Sequence, residues 1–201
     1  VFHRKLYPGL GLSKAVFFDR ETFGRDALVK GDPLVLGFDE FAPANPGARP
    51  IAKFLADCPL TPAGRDGLIE LFAGRRDYMV GTAKKDRVEK LGKMTYRAFL
   101  TDVCKLPGDA ANFFQNRSSD NWGFGIDAIS ASDAMGDGFP GAKALKLEKD
   151  LGGHSEDKAA YVHHFPDGNA SLARALVRSL VKGVAPGSGM DDIVTAPFDY
   201  S

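Results

Sequence analysis

The stretch from Pro50 to Gln115 has the apolar spacing of helices, and proline, glycine and capping residues interrupt it repeatedly. Thr61 stands directly before a proline, which is the order of an N-cap and a first helical residue. This punctuation permits only short helices, so we predict a helical subdomain of four or five of them. The predicted segments are a helix from Ile51 that ends before Pro59, a helix opened by Thr61–Pro62, Ala83–Leu91 capped by Thr82, Tyr96–Cys104 capped by Thr95, and Ala110–Gln115 opened by Asp109.

The segments on either side of this stretch predict strands as well as helices. Ala15–Asp19 and Pro33–Phe38 are short apolar runs bounded by turn residues, which favours β structure. The proline- and glycine-rich segment Ala42–Pro50 predicts a loop. We therefore expect an α+β or mixed α/β fold. The remaining predicted elements are a helix at Ile126–Ala134, a strand at Ala160–Phe165 and an amphipathic helix at Ala170–Lys182.

Charge balance and the lack of long apolar runs exclude several classes of protein. The 201 residues carry 26 basic and 26 acidic side chains, whereas nucleic acids and anionic membranes select a basic excess. No apolar run approaches the ~20 residues of a membrane span, so we expect none. Cys58 and Cys104 are far apart and have no histidine at ligand spacing, which predicts buried thiols and no metal site. Because the sequence starts at Val1 within an ongoing pattern, we expect an excerpt or a processed chain.

A glycine motif at Gly136–Gly141 matches the pattern G-x-G-x-x-G. A dinucleotide site needs a strand before this pattern and a helix after it, so that backbone N–H groups meet the pyrophosphate. Here Asp137 would bring a negative charge to the phosphates, and Pro140 removes one N–H donor. We therefore interpret the motif as a glycine-rich loop and reject it as a nucleotide site.

The histidine pair His163–His164 lies at the end of the predicted strand. Because side chains alternate along a strand, one ring would face the packed side and the other would face away. One packed and one surface histidine is one interpretation, and an active-site role for one of them is the other. A hydrolase using Ser155 or Ser171 with Asp167 and His164 lacks a G-x-S-x-G elbow, so we reject it.

The segment Phe165–Asn169 joins the predicted strand to the amphipathic helix through a glycine turn. In this geometry backbone N–H groups and a helix N-terminus can contact a ligand that is bound in the crevice of an α/β fold. A plain strand–helix connection accounts for the same pattern.

Several segments, taken in order, resemble the flavin-dependent amine oxidase superfamily, and within it the bacterial spermidine dehydrogenase-like branch. Matches extend from residue 11 to residue 196, which is nearly the whole chain. Their joint occurrence is more specific than any single match. The matching segments are Gly11–Gly24, Tyr96–Leu100, Trp122–Ala128, His164–Arg174 and Asp192–Ala196.

The resemblance implies an FAD-dependent oxidoreductase that oxidises the C–N bond of an amine or polyamine by passing hydride to the flavin. It implies that Pro166, Asp167, Gly168 and Asn169 lie near the cofactor, and it identifies no catalytic residue. Trp122, Phe124, Asp127 and His164 are the expected substrate-binding residues. An aromatic face attracts a cationic amine, and a carboxylate can anchor a distal ammonium. For Trp122 a core anchor is the alternative, and for Asp127 a helix N-terminal charge.

The resemblance also implies a division of the chain. Residues 1–45 would be a β-rich segment, 46–115 the helical substrate subdomain, and 116–201 the cavity-lining segment with the strand, turn and helix beside the flavin. The chain departs from the family because it lacks the strand–GxGxxG–helix unit. We therefore expect FAD to be held mainly by parts of a larger parent, with this chain contributing the substrate subdomain and some strands of the FAD-binding domain.

Two alternatives stay open. The chain could be a non-catalytic subunit or relic that pairs with a separate FAD-binding chain. It could also belong to a related flavoprotein that acts on a hydrocarbon or porphyrinogen-type substrate. In either case the expected setting is a bacterial cytoplasm or periplasm, with the chain in soluble form.

Overall fold

The computed structural model describes residues 13–34, 36, 47–151, 168–199 and 201. These residues fall into two compact units, 13–151 and 168–201, with the gaps just given. The larger unit is rich in short helices and contains a two-stranded antiparallel sheet, while the described part of the smaller unit has two helices. The expected α+β character is thereby confirmed in general form. The contribution of strands to an FAD-binding domain stays a prediction.

A β-hairpin opens the larger unit. Strand β1, Ala15–Phe18, pairs antiparallel with strand β2, Ala27–Lys30. One helical turn, α1 (Arg20–Phe23), connects them. The carboxylate of Asp19 caps this turn, and Gly24 ends it at a φ of +78°, a conformation that favours glycine. The predicted strand Ala15–Asp19 is thus confirmed for Ala15–Phe18, while Asp19 caps α1.

The predicted strand Pro33–Phe38 is wrong for those of its residues that the structure describes. Pro33, Leu34 and Leu36 lie outside regular structure. The turn residues predicted to precede a strand instead end β2, because Gly31 has a φ of +81° and the Asp32 carboxylate accepts the Leu34 N–H at 3.1 Å. The apolar content of Pro33–Phe38 therefore did not identify the strand. The strand that pairs with β1 is the shorter segment Ala27–Lys30, which ends before Gly31.

Short helices make up the rest of the larger unit, as the sequence predicts. Thr61 and Thr95 cap their helices by accepting backbone N–H groups of the first turn. The Asp109 carboxylate accepts the Thr61 N–H at 2.6 Å and so joins two helices that are distant in sequence. The helices are α2 (Ile51–Asp57), α3 (Pro62–Ala73), α4 (Lys84–Gly92), α5 (Tyr96–Ala98), α6 (Gly108–Asn112), α7 (Ser119–Trp122), α8 (Ala131–Gly136) and α9 (Ala142–Leu145).

Four predicted helix boundaries are wrong. Helix α6 begins at Gly108, so that Asp109 lies inside it and is not its cap, and it ends at Asn112 instead of Gln115. Ala83, rather than Thr82, occupies the N-cap of α4 and makes no side-chain cap bond. Helix α5 passes into a π-helical turn, Phe99–Val103, instead of continuing as an α-helix. The predicted helix Ile126–Ala134 starts only at α8, because the carbonyls of the preceding segment accept N–H groups from Tyr96 and Arg97.

A cluster of aromatic rings forms the centre of the larger unit. Tyr96 is fully buried and has ring contacts with Phe99, Phe114 and Phe139 at centroid distances of 5.2–5.9 Å. Its hydroxyl donates to the carbonyl of Pro140 at 2.8 Å. Because the polar end of the ring has a partner, the cluster can bury a tyrosine without leaving a hydrogen-bonding group unsatisfied.

In the smaller unit, helix α10, Asn169–Leu180, packs with helix α11, Met190–Thr195. The predicted amphipathic helix is thus confirmed. The Arg174 guanidinium donates to the carbonyls of Ile193 at 2.8 Å and Ala196 at 2.6 Å, so the polar side of α10 faces α11. The apolar side is exposed, which reverses the usual arrangement. Its members are Leu172, Leu176, Val177 and Leu180. The predicted strand Ala160–Phe165 lies outside the described residues.

Across the described parts of the chain, none of the helices has both the length and the apolar character that crossing a membrane requires.

Replacing Phe114 with alanine should lower the free energy of unfolding by about 3–5 kcal/mol, because it leaves a cavity in the aromatic cluster. The matched replacement Phe124→Ala, at a ring that is 62% exposed, should change it by no more than about 0.5 kcal/mol. Urea unfolding followed by circular dichroism measures both. Equal losses for the two variants would contradict the position assigned to the cluster.

Candidate substrate-binding surface

Residues 122–127, which we call the 122–127 loop, are held on the larger unit by backbone contacts. Helix α7 ends at Gly123, whose φ of +69° turns the chain sharply. The hydroxyl of Ser118 donates to the Phe124 carbonyl at 2.6 Å, and the Ile126 N–H donates to the Gln115 carbonyl at 3.0 Å. The loop therefore has a defined backbone conformation, which can present side chains in fixed positions.

Trp122 is attached to the unit by its polar edge. Its indole N–H donates to the carboxylate of Asp137, a buried residue. The side chain is nevertheless 38% exposed, so Trp122 does not have the position of a core anchor. Phe124, two residues further on, is exposed as well. One tethered and one open aromatic side chain are thus accessible on the same loop.

Asp127 is exposed, and its carboxylate accepts a hydrogen bond from Gln115 Nε2 at 2.5 Å. Gln115 Oε1 in turn accepts from the Arg97 guanidinium at 2.8 Å, and Arg97 also donates to Asn112 Oδ1 at 2.9 Å. Helix α8 starts beyond Asp127, and the acidic residue in its first turn is Asp133. The carboxylate of Asp127 therefore does not serve as a helix N-terminal charge.

The supporting residues were only partly accessible to sequence reasoning. Arg97 lies within a segment that carries the family resemblance, but no role for it follows from the sequence. The sequence predicts that Asp137 opposes phosphate binding in the glycine loop, and the structure makes its carboxylate the acceptor for Trp122. The role of Gln115 could not be predicted from the sequence. An amide that donates to a carboxylate twelve residues later, as Gln115 does to Asp127, has no characteristic sequence spacing.

The glycine loop Gly136–Gly141 follows helix α8 rather than a strand. It therefore lacks the strand–turn–helix geometry that a dinucleotide site needs. Gly138 and Gly141 have positive φ angles of 91° and 135°. The loop lines a cavity of about 290 Å³ together with side chains such as Phe72 and Lys143.

A second cavity, of about 510 Å³, lies along strand β2. Trp122, Phe124 and Asp127 are absent from the linings of both cavities. The 122–127 loop is therefore an open surface on the larger unit within the described part of the chain.

Of the expected cofactor-proximal residues, the structure describes Gly168 and Asn169. Gly168 precedes α10 with a φ of +70°, and both residues are exposed. No side chain caps the first turn of this helix. Pro166 and Asp167 lie outside the described residues, as does His164 of the expected substrate-binding set. The described cofactor-proximal residues belong to the smaller unit, and Trp122, Phe124 and Asp127 belong to the larger one.

Metal and thiol chemistry find little support in the described residues. Among them no group of three or more histidine, cysteine, aspartate or glutamate side chains is arranged to hold a metal ion. Cys58 and Cys104 are buried free thiols. Burial raises the pKa of each to about 12, so both are protonated at neutral pH.

The native chain should therefore react very slowly with a thiol reagent at pH 8, which is well below both pKa values, and faster as the pH rises. In guanidinium chloride both thiols should react at once, because the unfolded pKa is near 8.5. Release of the chromophore from a disulfide reagent measures the rate. Rapid native modification at pH 8 would contradict the burial of these side chains.

No protein-family model matches the chain, and no curated protein matches it either.

Proposed function

We propose that the chain is the central, substrate-domain portion of an FAD-dependent oxidoreductase that oxidises the C–N bond of an amine or polyamine. The observation that carries this proposal is the ordered set of segments resembling the flavin-dependent amine oxidases. Trp122–Ala128 and His164–Arg174 are the most specific of them.

The 122–127 loop has the chemical character that an amine-binding surface needs. A protonated amine is attracted to the face of an aromatic ring, and tryptophan is the strongest such partner. Trp122 is held by its N–H, so its accessible ring surface loses little freedom when a ligand binds. Phe124 adds apolar surface, which suits the methylene chain of a polyamine.

Asp127 supplies the negative charge. Its hydrogen bond from Gln115 orients one carboxylate oxygen, which leaves further lone pairs for a second donor. An ammonium group at the far end of a diamine or polyamine is the proposed donor. A monoamine offers one charge only and would use either the ring or the carboxylate, so selectivity for longer amines follows.

The proposed cofactor contact lies at the N-terminus of α10. Gly168 has a positive φ, and among the described residues no side chain caps the first turn of α10 and no atom lies within 4 Å of a Cβ added at Gly168. Backbone N–H groups at a helix N-terminus are suited to bind a polar acceptor. These features fit a flavin ring or pyrophosphate oxygen. Pro166, Asp167, Gly168 and Asn169 are the residues proposed to hold it. FAD, when bound, supplies the acceptor for hydride.

The 201-residue chain itself should bind spermidine, and its emission can report this because Trp122 is the only tryptophan. Asp127→Asn should weaken spermidine binding by up to about fivefold and leave propylamine binding nearly unchanged, since an exposed ion pair contributes about 0.2–1 kcal/mol. Glu148→Gln, at an exposed carboxylate away from the 122–127 loop, is the matched control. Equal effects of the two substitutions, or no saturable change in emission, would argue against this surface as the amine site.

The flavin assignment has its own test in the full-length parent. Purified parent should show the visible absorption of a bound flavin, and an amine should bleach it and reduce an added dye. A colourless protein that takes up no FAD and reduces no dye with any amine would exclude the proposal.

A non-catalytic subunit that pairs with a separate FAD-binding chain is the second proposal, and the exposed apolar side of α10 favours it. Leu172, Leu176 and Leu180 stand four residues apart on that helix and would be covered in such a complex. Native mass measurement of the protein from its source would reveal a stable partner. A related flavoprotein with a hydrocarbon or porphyrinogen-type substrate would tolerate Asp127→Asn without loss of substrate binding.

A further inference from the structure

The amide side chain of Gln115 lies between a cation and an anion. Its Oε1 atom accepts from the Arg97 guanidinium at 2.8 Å, and its Nε2 atom donates to the Asp127 carboxylate at 2.5 Å. Because a guanidinium has only donors and an ionised carboxylate has only acceptors, the amide satisfies both groups in one orientation only. Turning it over would place donor against donor and acceptor against acceptor. The two contacts therefore fix which end of Gln115 meets Asp127.

Arg97 is itself held on both sides. Its second terminal nitrogen donates to Asn112 Oδ1 at 2.9 Å, and its backbone N–H donates to the Ile126 carbonyl at 3.0 Å. A planar guanidinium donates from two nitrogens at a fixed angle, and the single ammonium of a lysine cannot reproduce this arrangement. Arg97 therefore connects the backbone of the 122–127 loop to the orientation of the Gln115 amide.

The close approach of Gln115 to Asp127 requires a residue without a side chain at position 125. A Cβ added to Gly125 would clash with Gln115 Nε2, and it would lie 2.7 Å from Asp127 Oδ1 and 2.8 Å from the Gln115 carbonyl oxygen. This carbonyl cannot move away freely, because it accepts the Ile126 N–H at 3.0 Å. Any larger residue at position 125 would therefore displace the amide from the carboxylate.

The arrangement orients the Asp127 carboxylate without neutralising it. The donor that reaches Asp127 is an uncharged amide. Arg97 makes no ion pair with Asp127 or with any other acidic residue that the structure describes. A lysine in place of Gln115 would instead bring a positive charge to the carboxylate. Asp127 thus keeps its negative charge, and the position of its second oxygen is set by the bond to the first.

We propose that Arg97, Gln115 and Gly125 are positioning residues that determine the specificity of the 122–127 loop for amines with two or more positive charges. Arg97 fixes the Gln115 amide, and Gly125 leaves room for it. The amide holds Asp127 so that the second carboxylate oxygen meets a distal ammonium. A side chain that is held in advance loses less conformational freedom on binding, which strengthens the contact. The inference rests on the proposed function, because it takes the loop to be the amine-binding surface.

Nuclear magnetic resonance can observe the amide directly, because Gln115 is the only glutamine in the sequence. The 201-residue chain, labelled with ¹⁵N at glutamine side chains, should give one pair of amide proton signals. Asp127→Asn and Arg97→Lys should each shift this pair, since each changes one of the two contacts of the amide. Asp86→Asn, at an exposed carboxylate in the first turn of α4, should leave the pair unchanged.

The ratio of spermidine affinity to propylamine affinity, measured by Trp122 emission, tests the specificity role. Gln115→Lys should lower this ratio as far as Asp127→Asn does, by up to about fivefold, because the added ammonium pairs with the carboxylate. Gly125→Ala should lower it about twofold, because the carboxylate keeps its charge but loses its fixed position. Gly108→Ala, where an added Cβ meets no described atom within 4 Å, should leave the ratio unchanged.

A double-mutant cycle separates positioning from a general effect on the fold. In the Asp127→Asn background, Gln115→Lys and Gly125→Ala should have no further effect on the ratio, because both act through Asp127. A further loss in that background would overturn the proposal. Circular dichroism establishes that each variant is folded.

The two measurements distinguish failure of this inference from failure of the proposed function. An amide pair that responds to neither Asp127→Asn nor Arg97→Lys would overturn the positioning roles even if spermidine binds. An amide pair that responds as expected, in a chain without saturable spermidine binding, would contradict the proposed amine surface. The specificity role would then be wrong as well, while the hydrogen-bonded arrangement of Gln115 would stand.

Discussion

The larger unit depends on Tyr96 more than on any other residue. Its ring lies in the aromatic cluster, its backbone N–H donates to the Ile129 carbonyl at 3.1 Å, and its hydroxyl donates to Pro140 at 2.8 Å. One residue therefore joins the helical stretch to the segments on both sides of helix α8. Burial raises the pKa of the Tyr96 hydroxyl well above its ordinary value, so the group stays a hydrogen-bond donor throughout the physiological range. The neighbouring Arg97 N–H donates to the Ile126 carbonyl at 3.0 Å, which attaches the 122–127 loop to the same helical stretch.

Local rules predicted the parts of the fold that local interactions determine. Thr61 and Thr95 cap helices because a hydroxyl at the N-cap lies within reach of the unpaired N–H three residues later, whatever the distant parts of the chain do. The same rules misplaced the helix before Ala134, since the carbonyls that would have continued it accept N–H groups from Tyr96 and Arg97, some thirty residues earlier in the sequence. Competition between local and distant partners for the same carbonyl leaves no trace in residue spacing.

The candidate site was likewise predicted only in part from the sequence. The aromatic and acidic residues of the 122–127 loop were recognisable in the sequence as candidates, because aromatic faces and carboxylates are groups that can bind amines. What holds them was not recognisable. Asp137 and Gln115 reach Trp122 and Asp127 from other segments, and only the packed chain brings them together. The structure also distinguishes hydrophobic side chains that form the core from those that lie on the surface. Phe114 is buried, whereas Phe124 and the leucines of α10 are exposed.

The π-helical turn Phe99–Val103 bears on how this chain can change in length. An extra residue per turn is accommodated there, with the Cys104 N–H bonding to the Phe99 carbonyl five residues back. The extra residue is taken up within the turn, so the residues beyond it keep the side that they turn to the core, and Cys104 and Leu106 stay buried. In a regular α-helix one added residue would instead rotate everything beyond it by about 100° relative to Tyr96. The π-helical turn therefore marks a place where this helix can differ in length by one residue without moving the core beyond it.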